Sequence, residues 1–483
     1  MTRIDCQRLA VFGTVLLLAF LLRAALILYT PAIGADWRIY ERFAENILLG
    51  NGFTLSHPDS STILPSAGGY FPGYPAFISI VWLIFGKSIF SILWVQLILH
   101  VIALQLLLSA LFRLTGSYRT IAAIGLLFAL SPLTIGWSRY PLTESLAISA
   151  SVWFLAEVIN SLAAKKLRVL QLAVALATSI YIRPDTGLLA IAVPTVSLFI
   201  YKSKRVAITK SLLFVIMTSI PVIFWPMRNV FIGSTPLSMY ESSRDQFMGY
   251  RAWVNTWAVS ERERDDASLM NPAIAKFNST KFLSVAEVEA ANLVIAKLGS
   301  VQVDRDEIAL LDDQFKAWAK QRQLNFGFLL SSQLYVSKAA NLLFSPFSVW
   351  GLPLDINVDK RLALSALVSG NITELSEYFT GKSGVLALRL AAYAYQFFLF
   401  ALFFTSLILI IWGLLRGSTS SRSEWFVKVF VILGAVVTGP RLLFFVGIGG
   451  LESRYLVEVV PWIECSLGLR LMSRYCWYSP PSR

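Results

Sequence analysis

The chain has 483 residues, 56% of them hydrophobic and only 15% charged, and its mean hydropathy is +0.63. That balance lies outside the range of a soluble globular domain, so a polytopic membrane protein is expected. The net charge of +13 does not indicate a nucleic-acid binder, because the Lys and Arg fall in short clusters between apolar runs and form no basic stripe.

The first apolar run, Leu9 to about Tyr29, is long enough to cross about 30 Å of hydrocarbon, and no small-x-small cleavage pattern follows it. An uncleaved first span is expected. The first outer loop, 30–88, then carries "GADWRIYERFAENILLGNG" at 34–52. Trp37, Tyr40, Ala44, Ile47 and Leu48 recur at helical intervals, with Arg38, Glu41, Arg42 and Glu45 on the other face, which describes a helix lying flat in the interface. Asp36 opens this helix, either as its N-cap or as a functional acid.

The run 73–86 begins "GYP" after Pro72 and is short for a span, so it is expected to lie along the outer interface. Further apolar runs fall at 89–112, 120–138, 144–163, 169–182, 186–201, 208–226, 386–415, 425–447 and 455–471, giving about ten transmembrane helices. Arg113, Arg119, "KKLR" at 165–168, "KSKR" at 202–205, Arg416, Arg422, Arg470, Arg474 and Arg483 then share a side with Arg3 and Arg8. This positive-inside pattern places both termini in the cytoplasm and the first loop outside. Cytoplasmic loops are all short, and no phosphate-binding glycine motif stands between a strand and a helix, so a cytosolic nucleotide domain is excluded.

Between residues 227 and 385 the composition turns charge-rich, as in "SERERDD" and "DRDEIALLDDQFKAWAKQRQ". Ile308, Leu311, Phe315 and Trp318 line one face of a helix there. A small, mainly helical outward-facing region is expected over 227–385, its stretch from "NFGFLLSSQLYVSKAANLLF" to Trp350 lying on the membrane surface. It separates an N-terminal transmembrane catalytic module, 1–226, from C-terminal transmembrane helices, 386–483. The fold class is therefore an all-α polytopic membrane protein with interfacial helices and this outward region.

Cys6, Cys465 and Cys476 lie near the termini and suggest neither a disulfide framework nor a metal site. The sequons at Asn278 and Asn371 read as chance matches. His100 is mid-span and expected to be packed between helices, whereas His57 sits in an outer loop, either as a solvated loop histidine or in contact with substrate. No Ser, His and Asp set supports a hydrolase triad.

Glu144 follows Pro141 at the outer end of an otherwise apolar helix, where an ionisable group is a functional candidate or a first-turn helix acid. With Asp36 it could divide the work of deprotonating an acceptor and holding a neighbouring charge or metal. Arg183, Arg228 and Arg454 each stand where an apolar run meets the outer surface, on the face the positive-inside bias leaves poor in cations. A guanidinium there either snorkels to headgroups or holds a phosphate through two hydrogen bonds.

In order along the chain, "GADWRIYERFAENILLGNGF", "GGYFPGYPAFISIVWLIFG", "SRYPLTESLAIS", "YIRPDTGLLA", "FWPMRNVFIGSTPLS" and "ESRYLVEVVPWI" resemble the bacterial branch of the GT-C membrane glycosyltransferases. The resemblance is to the dolichyl-phosphate-mannose protein mannosyltransferase family and the lipid A aminoarabinose transferases, and it covers most of the chain. It implies a sugar donor carried on a polyprenyl phosphate and an acceptor glycolipid, polysaccharide or protein at the outer face of a bacterial inner membrane, with inverting transfer. By the same resemblance Asp36 and Glu144 are the catalytic acids; from their own placement Arg183, Arg228 and Arg454 are expected to hold the phosphate, and Tyr74, His57 and Tyr455 are further candidate substrate-binding residues. Many relatives have Asp where Glu144 stands, and their Pro-Pro-Gly-Tyr-Pro reads Phe71-Pro72-Gly73-Tyr74-Pro75 here. No cofactor is required by the motifs; a divalent cation, Mg or Mn, is compatible with two neighbouring acids. A carrier or flippase of lipid-linked sugars is the alternative, and it would use the mid-span charges Arg23, Arg389 and Arg441.

Overall fold

Helices of the protein break where proline or glycine forces them to, and those breaks build the face that holds the acids. The computed structural model describes residues 3–34, 36–57, 71–232, 248–260, 263, 264, 267, 284–298, 305–325, 328–344, 351–352, 383–416, 422–448 and 453–472. In order the helices are α1 (Arg3–Tyr29), α2 (Trp37–Leu48), α3 (Gly73–Phe85), α4 (Ile89–Thr115), α5 (Tyr118–Leu130), α6 (Pro132–Ile135), α7 (Thr143–Ala163), α8 (Val169–Ile182), α9 (Ala192–Ile200) and α10 (Lys204–Phe231). They continue as α11 (Met248–Asn255), α12 (Val285–Leu298), α13 (Arg305–Asn325), α14 (Phe328–Phe344), α15 (Ser383–Leu415), α16 (Arg422–Ile448) and α17 (Val460–Met472).

Among the described residues six helices are long and apolar enough to cross a membrane: Leu9–Tyr29, Ile89–Thr115, Thr143–Ala163, Lys204–Phe231, Ala387–Leu415 and Glu424–Ile448. Residues Tyr118–Arg139 make a seventh if two helical pieces bent by 47° count as one span. The count of ten spans is not reached among the described residues. Val169–Ile182 and Pro184–Ile200 fall below span length, as does Gly73–Phe85. Helix α17 has 13 residues, about 20 Å of helix, and every residue from Val460 to Leu469 is buried in protein. Apolar letters alone do not distinguish a segment wrapped by other helices from one facing lipid.

Large aliphatic and aromatic side chains point outward from α10 (Leu212, Ile216, Ile220, Phe224) and from α15 (Leu402, Ile408, Leu409, Trp412). Facing water, such a surface would be prohibitive, and facing lipid tails it is what a helix bundle requires. The bundle's core is α7 packed on α4, with α1, α5 and α17 around it, burying Leu104, Leu107, Phe154, Leu155 and Trp462.

At the α5–α6 break Pro132 supplies no N–H and Ser131 leaves the helical region at φ −58°, ψ 110°. The carbonyls so freed are met by Arg23 of α1, which is 1% exposed and donates to Ala129 O and Phe128 O at 3.3 Å each and to Thr134 Oγ1 at 3.4 Å. This mid-span charge, which a carrier would use, is a backbone cap.

Helices α11, α12 and α13 have a core of their own around Tyr250, Trp253, Val294, Leu311 and Phe315, with Trp318 packed against it. Leu311, Phe315 and Trp318 thus share the face read from the sequence; the side chain of Ile308 lies outside the described residues, as do both sequons. Asp312 accepts from the first free N–H groups of α11, Gly249 and Tyr250, at 2.9 Å each. Glu287 accepts from Trp253 Nε1 (2.8 Å), Arg322 Nε (2.7 Å) and Ser284 N (2.7 Å). Burial pushes the Glu287 carboxyl up, but these donors together outweigh it and hold the pKa at about 2. Helix α14 does not lie wholly on a surface as expected. Its end enters the bundle through the buried Leu342 and Leu343, and Lys338, 2% exposed, donates to Asn255 O at 2.6 Å.

Candidate active site

Three short-range events deliver the acids to one place. After α1 the chain is fastened by Ala32 N donating to Arg139 O at 3.1 Å and by Arg139 Nε donating to Thr30 O. Gly34 then lies so close to Leu142 that a Cβ would meet its side chain, and Asp36 follows at the start of α2. The Tyr140–Pro141 bond breaks the chain ahead of α7, with Tyr140 extended at φ −108°, ψ 132°, and sets Glu144 in the first turn of the new helix. Likewise Pro184 ends α8 by holding Arg183 extended at φ −152°, and Thr186 N and Oγ1 donate to the Arg183 carbonyl at 3.0 and 2.7 Å.

Asp36 occupies the N-cap position of α2, yet its carboxylate makes no cap hydrogen bond. It is turned instead to Arg454, whose Nη1 lies 3.2 Å from Asp36 Oδ2 and 3.7 Å from Glu144 Oε1. Arg454 comes from a 3₁₀ turn, Ser453–Leu456, more than 400 residues along the chain from Asp36. Glu144 is held a second time by Arg183 Nη1 at 3.2 Å and accepts from Thr143 Oγ1 at 3.2 Å. The helix-cap explanation of Asp36 therefore fails, and the first-turn position of Glu144 serves an ion pair.

Below these residues lies a closed ion network. Arg183 Nε is 3.1 Å from both Asp185 Oδ1 and Glu458 Oε1. Arg441 Nη2 bonds Asp185 Oδ2 at 2.5 Å and Glu458 Oε2 at 2.7 Å, while its Nη1 and Nε donate to the carbonyls of Asp185 (2.9 Å) and Tyr455 (2.6 Å). Tyr455 has two guanidiniums over its ring, Arg183 at 5.5 Å and Arg454 at 5.6 Å, and the ring stacks on Phe445 with centroids 4.5 Å apart. Exposure grades across the set. The side chains of Glu458 and Arg441 are 0% exposed and Glu144 5%, but Arg454 is 27% and Asp36 34% exposed. Among the described charges of the set this outer pair is the most open to a ligand.

Tyr74 is fully buried in α3, where its hydroxyl accepts from Gln96 Nε2 at 3.1 Å and its ring meets Tyr40 edge-on at 5.0 Å. It supports α2 and presents no free surface. Arg228 belongs to a different cluster: it donates Nη2 to Phe53 O at 3.2 Å and lies 4.8 Å over the Trp225 ring, beside Phe53 stacked on Phe43. This fold-back explains why α2 buries Phe43 and Asn46 while Leu48, expected on its apolar face, is 42% exposed; Asn46 Nδ2 donates to Thr54 O and Ser56 O at 2.9 and 3.0 Å. His57 is exposed in the same loop, and His100 is buried 3.4 Å from Ser149 Oγ. Cys465 is buried as a free thiol, and the side chains of Cys6 and Cys476 lie outside the described residues.

The structure thus joins Asp36, Glu144, Arg183, Arg454 and Tyr455 and leaves Tyr74 and Arg228 at its margins. Sequence reasoning did not single out Asp185 and Glu458, although both stand within quoted motifs, and it took Arg441 as a mid-span charge. Their signal is pairing between ionisable groups in apolar runs, since a lone charge at that depth is too costly to keep. Asp36 and Glu144 are bridged by a guanidinium, and among the described residues no His, Cys, Asp and Glu group has the arrangement of a metal site. The donor set fits Arg454 between the acids better than a divalent ion.

No protein-family model matches the chain, and no curated protein matches it. Among solved structures the chain is similar to that of ArnT from Cupriavidus metallidurans bound to undecaprenyl phosphate. The identity is 12% and the TM-score 0.36, with 97% of this chain and 77% of the other covered. A superposition that loose places no residue of the site.

Proposed function

We propose that the protein is a GT-C-type membrane glycosyltransferase that moves a sugar from a polyprenyl-phosphate donor to a hydroxyl acceptor at the outer face of a bacterial inner membrane. The observation that carries this reading is the outer pair, a carboxylate and a guanidinium both open to solvent, mounted on a buried ion network. An acceptor hydroxyl attacks the anomeric carbon, and its proton passes to Asp36 as the bond from that carbon to the phosphate oxygen breaks. The electron pair leaves with the polyprenyl phosphate, whose growing charge Arg454 faces. One displacement at the anomeric carbon inverts it. Glu144, fixed by Arg183 and Thr143, holds Arg454 in reach, and the fully buried Arg441 and Glu458 fix the peptide that carries it.

A lipid-borne donor accounts for a transferase whose cytoplasmic loops are short, and the positive-inside pattern supports an outward site. Catalysis needs the open carboxylate, whereas a carrier does not; Arg23 and Arg441, two of the three mid-span charges a carrier would use, are spent on backbone carbonyls and neighbouring acids. The test supplies purified protein in nanodiscs with labelled polyprenyl-phosphate sugars and envelope lipids, polysaccharide and protein as acceptors. A labelled product of inverted anomeric configuration is expected from one donor, and translocation of labelled donor across proteoliposomes without any product would overturn the reading.

A further inference from the structure

Arg454 is the most exposed guanidinium of the set. Arg183 and Arg441 each bond several carboxylates and are 9% and 0% exposed, so neither can turn to a ligand without stranding a buried acid. When Arg454 turns away, neither Glu144 nor Asp36 is left buried and unpaired. Glu144 keeps Arg183 at 3.2 Å and Thr143 at 3.2 Å, and Asp36, a third exposed, is taken over by water. The guanidinium of Arg454 also lies over the face of Tyr455, whose ring is clamped on Phe445, and so has a surface on which to pivot.

We propose that Arg454 is an exchange latch: it holds Asp36 masked in the donor-free protein and releases it only when the phosphate of a polyprenyl-linked ligand, a diester in the donor and a monoester in the departing lipid, takes the guanidinium in its place. This rests on the reading of Asp36 as the base and adds an order to it. With Arg454 on Asp36 Oδ2 that oxygen is occupied, so the base is freed by the ligand whose cleavage it serves. The departing lipid phosphate keeps Arg454 until it leaves, and the pair then re-forms.

The consequence is competition: Asp36 and the phosphate contend for one guanidinium. Removing the competitor tightens phosphate binding. Dissociation constants are measured for polyprenyl phosphate in nanodiscs of zwitterionic lipid, and in parallel for inorganic phosphate, with wild type, Asp36→Asn, Asp36→Glu, Arg454→Ala and the double variant Asp36→Asn/Arg454→Ala. Asp36→Asn is expected to bind polyprenyl phosphate about two- to fivefold more tightly, the range of a half-exposed ion pair, and Asp36→Glu to bind as wild type does. Arg454→Ala weakens binding, and the second substitution then changes nothing. Tightening seen with inorganic phosphate too assigns the exchange to the phosphate itself; tightening only with the lipid assigns it to the lipid-borne headgroup. Asp36→Asn binding equal to or weaker than wild type, or a tightening that persists without Arg454, overturns the latch while leaving the transferase reading in place. Absence of any polyprenyl phosphate binding by the wild type overturns both.

Discussion

Replacing Arg441 by Met tests whether the buried ion network holds the site together. Arg441 is fully buried and makes two charged contacts, to Asp185 and Glu458, and two donations to backbone carbonyls. Methionine can follow the aliphatic stem, so packing is largely kept, but the fully buried Glu458 and the partly exposed Asp185 are left with Arg183 alone and two carbonyls without their donor. Breaking a buried pair from one side costs about 3–5 kcal/mol, a large part of the about 5–15 kcal/mol that holds a folded domain. The change should lower the melting temperature by about 5–10 °C in nanodisc thermal unfolding followed by tryptophan fluorescence. Adding Glu458→Gln removes the stranded charge, and the double variant should be more stable than Arg441→Met by about 1–3 kcal/mol. An Arg441→Met protein that melts within about 1 °C of the wild type, or a double variant less stable than the single, would refute the reasoning.

Three other outcomes follow from the same physics. Glu287, held at about 2 in the folded protein, stabilises the α11–α13 region above the ordinary carboxylate range, and that stabilisation fades as the pH falls from about 4.5 to 2. Trp253 fluorescence should report this loss, and Glu287→Gln should flatten the profile across that window while lowering stability at neutral pH. Gly73→Ala would drive a methyl into the Tyr181 carbonyl, a backbone group that cannot step aside, so α3 must shift from α8. A loss of about 1–3 kcal/mol is expected, and unchanged unfolding would show that the helices are not in contact there. Arg23→Met leaves the Phe128 and Ala129 carbonyls uncapped at the α5–α6 bend and should cost about 2–4 kcal/mol, read by the same unfolding assay.

The membrane class, the helical content and the acids at the ends of apolar runs were legible in the sequence because each is a local property. Asp36, Glu144, Arg183 and Arg454 stood out as charges where an apolar run stops, and the structure brings all four together. What was not legible is pairing at long range. Asp185 and Arg441 are 256 residues apart in the chain, and nothing in either segment names the other. The count of ten spans is not confirmed among the described residues, for a related reason: α17 is apolar because protein surrounds it, and a 13-residue helix reads the same as part of a longer span. Leu342 and Leu343 entered the bundle although their helix has the alternation of a surface segment. Tertiary contacts decided these cases, and local pattern could not.

The central claim, that Asp36 takes the acceptor proton, is tested most directly by transfer kinetics of Asp36→Asn beside the wild type, with the same labelled donor and with donor binding measured in parallel. The substitution keeps the side chain's size and the N-cap position but cannot accept a proton, so the rate should fall by about 10²–10⁴-fold while the donor still binds. Transfer by Asp36→Asn at the wild-type rate would contradict the account, and the chemistry would then have to be sought at Glu144.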